Sequence, residues 1–170
     1  MSQFESDVRI AEVLDKIYME HGGRGNAYES YTAAWRMGLN MTSLDRIDKQ
    51  EKKKGIIITM DDEPLNPYLP ADKLNCAMNG KAQADINTKA LYEEASQKFD
   101  IFHITIDGRD NCCQDYKDRI HSSFGALLGQ RLVVSTINDL VKTITECIDN
   151  ALGEETSSTN MINENGEISL

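Results

Sequence analysis

Three consecutive carboxylates that follow a short apolar run are the side chains in this sequence best suited to chemistry. The run from Ile56 to Met60 is almost uninterrupted, a pattern typical of a parallel strand covered on both faces. Asp61, Asp62 and Glu63 stand at its carboxyl end, which is where open α/β sheets bind ligands. Carboxylate oxygens suit a hard cation such as Mg²⁺, and without one these neighbours repel each other. The pattern leaves two alternatives open, a bound cation and separately solvated acids.

A second acidic strand end occurs later in the chain. The apolar segment 101–106 is followed by Asp107 and Asp110, so carboxylates from two strand ends would converge as in two-metal enzymes. This supports, as an alternative, a metal-dependent hydrolase or phosphoryl-transfer enzyme. Against it, the sequence contains no recognisable arrangement of nucleophile and general base. His103, inside the apolar segment, is predicted to be a core histidine with satisfied hydrogen bonds.

The composition indicates one acidic domain and argues against several classes of partner. The chain has 170 residues and a formal net charge of −10, which disfavours nucleic acid and anionic membranes as partners. No apolar run approaches the roughly 18–20 residues that span a bilayer, and we expect no secretory signal. The cysteines match no zinc-binding spacing, so we expect reduced thiols. These features predict a cytoplasmic protein.

A glycine-rich loop precedes a predicted helix. Residues 22–30 include Gly22, Gly23 and Gly25, and such a loop brings backbone N–H groups close to a bound anion in many proteins. Neither the GxGxxG nor the P-loop fingerprint of nucleotide sites is present in the sequence. On its pattern alone, the segment is better explained as a turn between helices.

Apolar spacing along the chain alternates between helical and strand-like periods. The predicted order is helix, loop, helix, strand, helix, strand, helix, strand, helix, which implies a parallel sheet between layers of helices. We expect an α/β domain over residues 1–152, with a three-layer parallel sheet of about three strands and about five helices, and a disordered acidic tail over 153–170. The expected strands are 55–60, 101–106 and 131–135. The expected helices begin near residues 6, 28, 87, 114 and 136–138, and residues 65–87 are expected to be irregular.

The small size of the predicted sheet has a consequence for association. Sheets usually have about five or six strands, and fewer are predicted here. Strand 55–60 has the sequence of a central strand, so it requires neighbours on both sides, and exposed apolar edges promote pairing with another chain. We therefore expect a second copy of the chain, or a complementing polypeptide, to complete the sheet.

Three segments resemble the von Willebrand factor A (vWA) family in its bacterial and phage form. They are residues 22–31 (GGRGNAYESY), residues 58–64 (ITMDDEP) and the block from Gly129 to Ile148. The likeness covers roughly residues 3–152. It implies a doubly wound sheet with a metal-ion-dependent adhesion site at its carboxyl edge, where the family binds protein partners.

The resemblance also implies site residues. In the family, a DxSxS motif, a Thr or similar donor from a second loop, and an Asp after a central strand hold the metal. Asn26 or Ser30 matches the second loop, and Asp61 or Asp62 the third, according to whether a TDGxP or a GDE form is matched. The further residues implied in binding are Gly23, Gly25, Glu29, Glu63 and Asp107.

The sequence departs from the family at its front. The DxSxS motif is absent, as in a fragment of a longer protein, an internal-start product or a shortened half-domain. We therefore expect Mg²⁺ binding to be weak unless another chain supplies the missing ligands. The leading expectation is a non-enzymatic protein–protein interaction module of vWA type with an incomplete metal site. The enzyme described above is the alternative, and a third possibility is an oligomer that uses the incomplete sheet itself as its interface.

Overall fold

The computed structural model describes residues 12, 31–44, 53–61, 63–78, 82–107 and 114–159. Within these ranges, the side chains of residues 77, 78, 114–116 and 154–159 are not described. Except for residue 12, the helix predicted to begin near residue 6 lies outside the described residues, as does the glycine-rich loop 22–30.

The described residues form five α-helices, five β-strands and one 3₁₀ helix. The strands are β1 (Gly55–Asp61), β2 (Tyr68–Leu69), β3 (Ile86–Asn87), β4 (Phe99–Asp107) and β5 (Leu132–Thr136). The helices are α1 (Tyr31–Met41), α2 (Ala71–Met78), α3 (Thr88–Lys98), α4 (Gln114–Leu128) and α5 (Leu140–Thr159), and the 3₁₀ helix is Gly129–Arg131.

A parallel sheet in the order β1-β4-β5 organises the molecule. The α/β class and the three-stranded parallel sheet with five helices, predicted from the sequence, are confirmed. The connection from β1 to β4 contains β2, α2, β3 and α3, and α4 connects β4 to β5. α3 and α4 pack in the same core cluster. Both crossovers therefore lie on one face, as right-handed connections between successive neighbouring strands require.

The position of strand 55–60 within the sheet differs from the prediction. Among the described strands, β1 lies at an edge, and β4 is central because β1 and β5 both pair with it. Seven of the nine residues of β4 are buried, whereas none of the seven residues of β1 is fully buried. Both segments are apolar runs, so sequence pattern alone does not distinguish a strand with two neighbours from a strand with one.

Helices cover both faces of the sheet and create two core clusters. Successive residues of β4 point to opposite faces, so Ile101 belongs to the first cluster and Phe102 to the second. On the first face, α1, α3 and α4 contribute the fully buried side chains Trp35, Leu91, Ile120 and Phe124. On the second face, α5 contributes Cys147 and Ala151. This arrangement is the predicted three-layer architecture.

Residues 65–87 are more regular than predicted. They contain α2 and a two-stranded antiparallel sheet of β2 and β3. Each strand is only two residues long, so no periodic pattern marks it in the sequence. Side chains hold the segment together instead, because the Asn75 amide exchanges two hydrogen bonds with the Ala82 backbone and the Ala71 N–H donates to Asp85.

The last two helices end differently. Gly129 has φ of +54°, the left-handed conformation that glycine favours after a helix, and it directly follows the last residue of α4. α5 continues to Thr159, past Gly153, where the sequence predicts the tail to begin. None of the helices in the described ranges is long and apolar enough to cross a membrane.

Candidate binding site at the carboxyl edge of the sheet

The structure describes three of the residues predicted to form the site, namely Asp61, Glu63 and Asp107. The others lie outside the described residues, and they are Gly23, Gly25, Asn26, Glu29, Ser30 and Asp62. The choice between Asp61 and Asp62 as a metal ligand therefore stays open.

Pairing between β1 and β4 places polar residues on one face of the sheet. Thr59 pairs with His103 and Asp61 with Thr105. The Thr59 Oγ1 atom lies 3.0 Å from His103 Nδ1, so both side chains point to the face covered by α1 and α4. Because alternate residues share a face, Asp61 and Thr105 lie next to each other on it, one step closer to the carboxyl edge. The carboxyl ends of β1 and β4 are therefore adjacent, with Asp61 beside Thr105.

The Thr105 hydroxyl is an oxygen donor at the carboxyl edge that the sequence pattern does not indicate. Thr105 is buried, and within the described part of the chain its Oγ1 atom has no hydrogen-bond partner. It lies between Asp61, its register partner, and Asp107, two residues further along the same strand. The sequence shows only its alternation with His103 in segment 101–106. It is thus a buried oxygen without a partner at this edge, which needs an explanation such as a bound group.

Asp107 makes an ion pair that limits its use as a metal ligand. Lys117 Nζ, in the first turn of α4, lies 2.7 Å from Asp107 Oδ1. Both side chains are partly exposed, so the pair contributes at most about 1 kcal/mol to stability. An ammonium at this distance nevertheless competes with a cation for the carboxylate. The described residues contain no group of three His, Cys, Asp or Glu side chains placed to hold a metal ion.

Tyr31 links the start of α1 to the end of β1. Its hydroxyl donates to the backbone oxygen of Glu63 over 3.4 Å, and its ring contacts those of His103 and Phe124. Tyr31 directly follows the glycine-rich loop in the sequence. The beginning of α1 and the residues after β1, which the vWA resemblance assigns to the same site, therefore lie at the same edge.

His103 is a core histidine, as predicted, but only one of its ring nitrogens is hydrogen-bonded. The ring is fully buried and stacks on Phe124 with centroids 3.8 Å apart. The Thr59 hydroxyl donates to the Phe102 carbonyl, so we assign it as the acceptor from Nδ1–H. Nε2 has no partner among the described residues. Burial lowers the pKa of His103 from 6.5 to about 4, so the ring is neutral at pH 7 and sealed from solvent.

The described cysteines offer no nucleophile to the site. Cys76 is an exposed free thiol, and Cys147 is a buried free thiol of α5 in the second core cluster. Burial and the neighbouring Glu146 raise the pKa of Cys147, which keeps it in the unreactive thiol form.

No protein-family model, curated protein or solved structure matches this chain at a significant level. The vWA resemblance therefore stays a prediction, and the fold and the geometry of the carboxyl edge carry the functional argument.

Proposed function

We propose that the protein is a non-enzymatic protein–protein interaction module of vWA type whose incomplete sheet pairs with a strand of another chain. The observation that carries this proposal is that the apolar strand β1 lies at an edge of the described sheet. This apolar strand has the sequence of a buried central strand, yet it lies at an edge, and among the described residues no strand pairs with its outer side. An exposed apolar edge of this length is a template for strand addition.

The side chains of β1 support the same conclusion. Ile56 and Ile58 are only partly buried against α5, and Met60 is 41% exposed. β4, with a similar sequence, buries its corresponding residues almost completely. A strand paired with the outer side of β1 would remove these apolar side chains from water, which is the usual driving force of association.

The carboxyl edge favours a binding role over an enzymatic one. Asp107 pairs with Lys117, and His103 is buried and neutral. The described residues thus present carboxylates and hydroxyls, but no nucleophile paired with a base. Asp61 and Thr105 fit as oxygen donors to a divalent cation, and further donors must come from outside the described residues or from the partner.

Strand addition at β1 is tested with peptides. We expect peptides selected from a displayed random library to bind the protein. Binding should slow hydrogen exchange of those Gly55–Asp61 amides whose N–H groups point away from β4, because these amides become hydrogen-bonded to the added strand. Met60→Lys should weaken binding at least about tenfold, since charged residues block edge pairing. Val141→Lys is the matched control, because Val141 is 79% exposed in the first turn of α5, which follows the opposite edge strand β5 in the chain. Peptides that leave β1 exchange unchanged would contradict the proposal.

The proposed metal site is expected to be weak in the isolated chain. If Mg²⁺ binds with a Kd of about 1 mM or weaker, 10 mM Mg²⁺ raises the free energy of unfolding by no more than about 1.4 kcal/mol. Thermal unfolding with Mg²⁺ and with EDTA measures this difference. Asp61→Asn should abolish whatever stabilisation is seen, whereas Asp72→Asn, an exposed acid on α2, should not. A much larger effect of Mg²⁺ that depends on Asp61 would mean that this chain holds a complete site.

A further inference from the structure

An apolar pocket of about 360 Å³ lies beside the amino-terminal end of β1. Residues 34, 37, 38 and 41 of α1 form one wall at helical spacing, and Leu44 continues it. Two of these wall residues are methionines, whose flexible side chains adapt to varied apolar shapes. The volume falls within the range of about 300–1,000 Å³ that is typical of binding pockets, so a large side chain has room there.

The pocket lies mainly on the face of the sheet that α1 covers, since Ile57 and Phe99, two of its lining residues, belong to the first core cluster. Ile56 and Ile57 both line it, although consecutive residues of a strand point to opposite faces. Phe99 of β4 reaches it only because Gly55 has no side chain, since a Cβ at position 55 would lie 2.8 Å from the Phe99 ring. The ring crosses over Gly55 and contributes to the pocket surface. The space therefore adjoins the side of β1 where an added strand would run.

We propose that this pocket receives one large apolar side chain of the added strand and so selects which segments pair with β1. The inference rests on the proposed function and specifies its partner. Backbone hydrogen bonds along an edge accept almost any extended sequence, so specificity in strand addition comes from pockets for individual side chains. The selected segment carries Leu, Ile, Met or Phe at the position that faces α1 beside Ile57.

The charges at the two ends of β1 define the rest of the partner segment. Lys53 and Lys54 are exposed at its amino end, and Asp61 and Glu63 follow at its carboxyl end. Charge complementarity therefore favours a segment that is acidic near the lysines and basic near the carboxylates.

The positive charge at the amino end is partly shared within the molecule. Lys54 Nζ lies 3.9 Å from the Asp100 carboxylate, which also pairs with Arg131 at 2.9 Å. Two cations thus meet one buried carboxylate at this end of the strand.

A polypeptide other than a second copy of this chain fits the pocket better. If two copies of β1 paired antiparallel, the carboxyl end of one would lie beside the amino end of the other. The residues of the second copy nearest the pocket on the α1 side would then be Thr59 and Asp61, which are polar. Each copy also carries a net charge of −10, which opposes self-association.

The test uses the whole protein and the synthetic peptides selected on it. Ala34→Phe fills the pocket from α1, where Ala34 is exposed, and should weaken binding at least about tenfold. Ala90→Phe, at an exposed position on α3, is the matched control and should leave the affinity unchanged. Met41→Lys, at a pocket residue that is 50% exposed, is a second variant should Ala34→Phe perturb α1. Replacing the apolar anchor of the peptide by serine should reduce affinity for the wild-type protein to a similar extent.

The possible outcomes distinguish failure of the pocket inference from failure of the proposed edge pairing. Loss of affinity confined to the pocket variants and to the anchor substitution supports the inference. Peptides that slow exchange in β1 but bind Ala34→Phe as tightly as the wild type overturn the pocket inference and leave edge pairing intact. Failure to obtain any peptide that slows exchange in β1 overturns both. A dimer in light scattering that Met60→Lys dissociates would identify a second copy as the occupant and overturn the choice of partner.

Discussion

Lowering the pH from 7 to 4 is expected to reduce the free energy of unfolding by about 3 kcal/mol through His103 alone. Its pKa is about 4 in the folded protein, against 6.5 for an ordinary histidine. Between these values the unfolded chain binds a proton that the folded chain does not, so stability falls as the pH drops through this window. A difference of about 2.5 pKa units corresponds to about 3 kcal/mol.

The physical reason is the surroundings of the ring. The imidazole stacks on Phe124 and meets the edge of Tyr31, and its Nε2 atom faces no acceptor within the described residues. A second proton would therefore be buried without a partner, and the charge without solvent.

Denaturant unfolding at a series of pH values measures the effect. His103→Gln removes the titrating group, so its stability should depend less steeply on pH between 6.5 and 4 than that of the wild type. His121→Gln is the control, because His121 is exposed on α4. Carboxylates titrate in all three proteins, so only the difference between the slopes is informative. Equal slopes in the wild type and His103→Gln would show that His103 is not held neutral by the fold.

Phe124→Ala is expected to destabilise the protein by about 4 kcal/mol, because it removes a fully buried aromatic ring and leaves a cavity. The loss is larger than that of a simple apolar contact, since the ring stacks on His103 and meets Tyr31 edge-on. The same substitution admits water to His103, so its pKa should rise towards 6.5 and the acid dependence described above should weaken.

Chemical denaturation at pH 7 gives the stability change, and the pH series gives the second effect. Leu127→Ala, at a partly buried position of the same helix, is the matched control and should cost less than half as much. A cost of less than about 1 kcal/mol for Phe124→Ala would mean that the site collapses around the missing ring.

The sequence predicts the main secondary structure because the periodicity of the large elements is local information. Each of these patterns is contained in one short segment of the chain. Examples are the apolar runs of β1 and β4 and the helical spacing of apolar residues in α4. Asn87 also marks the start of α3, where its side chain accepts a hydrogen bond from the Ala90 N–H. The parallel sheet follows from the alternation of these elements.

What the sequence does not predict depends on contacts between distant residues. β1 and β4 have similar apolar sequences, and only the pairing of three strands makes one of them an edge. Nothing in the sequence distinguishes Thr105 from other strand residues, and only the register between β1 and β4 shows that it lies beside Asp61. The sequence likewise does not single out Lys117 among its charged residues, and only the folded position of α4 shows that it pairs with Asp107. The two-residue strands β2 and β3 are too short to show a period.

The hydrogen bond between Thr59 and His103 has a consequence for the alignment of β1 during strand addition. A slip of β1 by two residues would keep its faces but place Ile57 or Asp61 opposite His103, and neither could replace the threonine that accepts from Nδ1–H and donates to Phe102. The hydrogen bonds of Thr59 and His103 therefore favour one register of β1 against β4. The register of β1 against β4 is therefore fixed before another strand adds to β1. The pocket beside Ile57 then has the same position relative to every added strand.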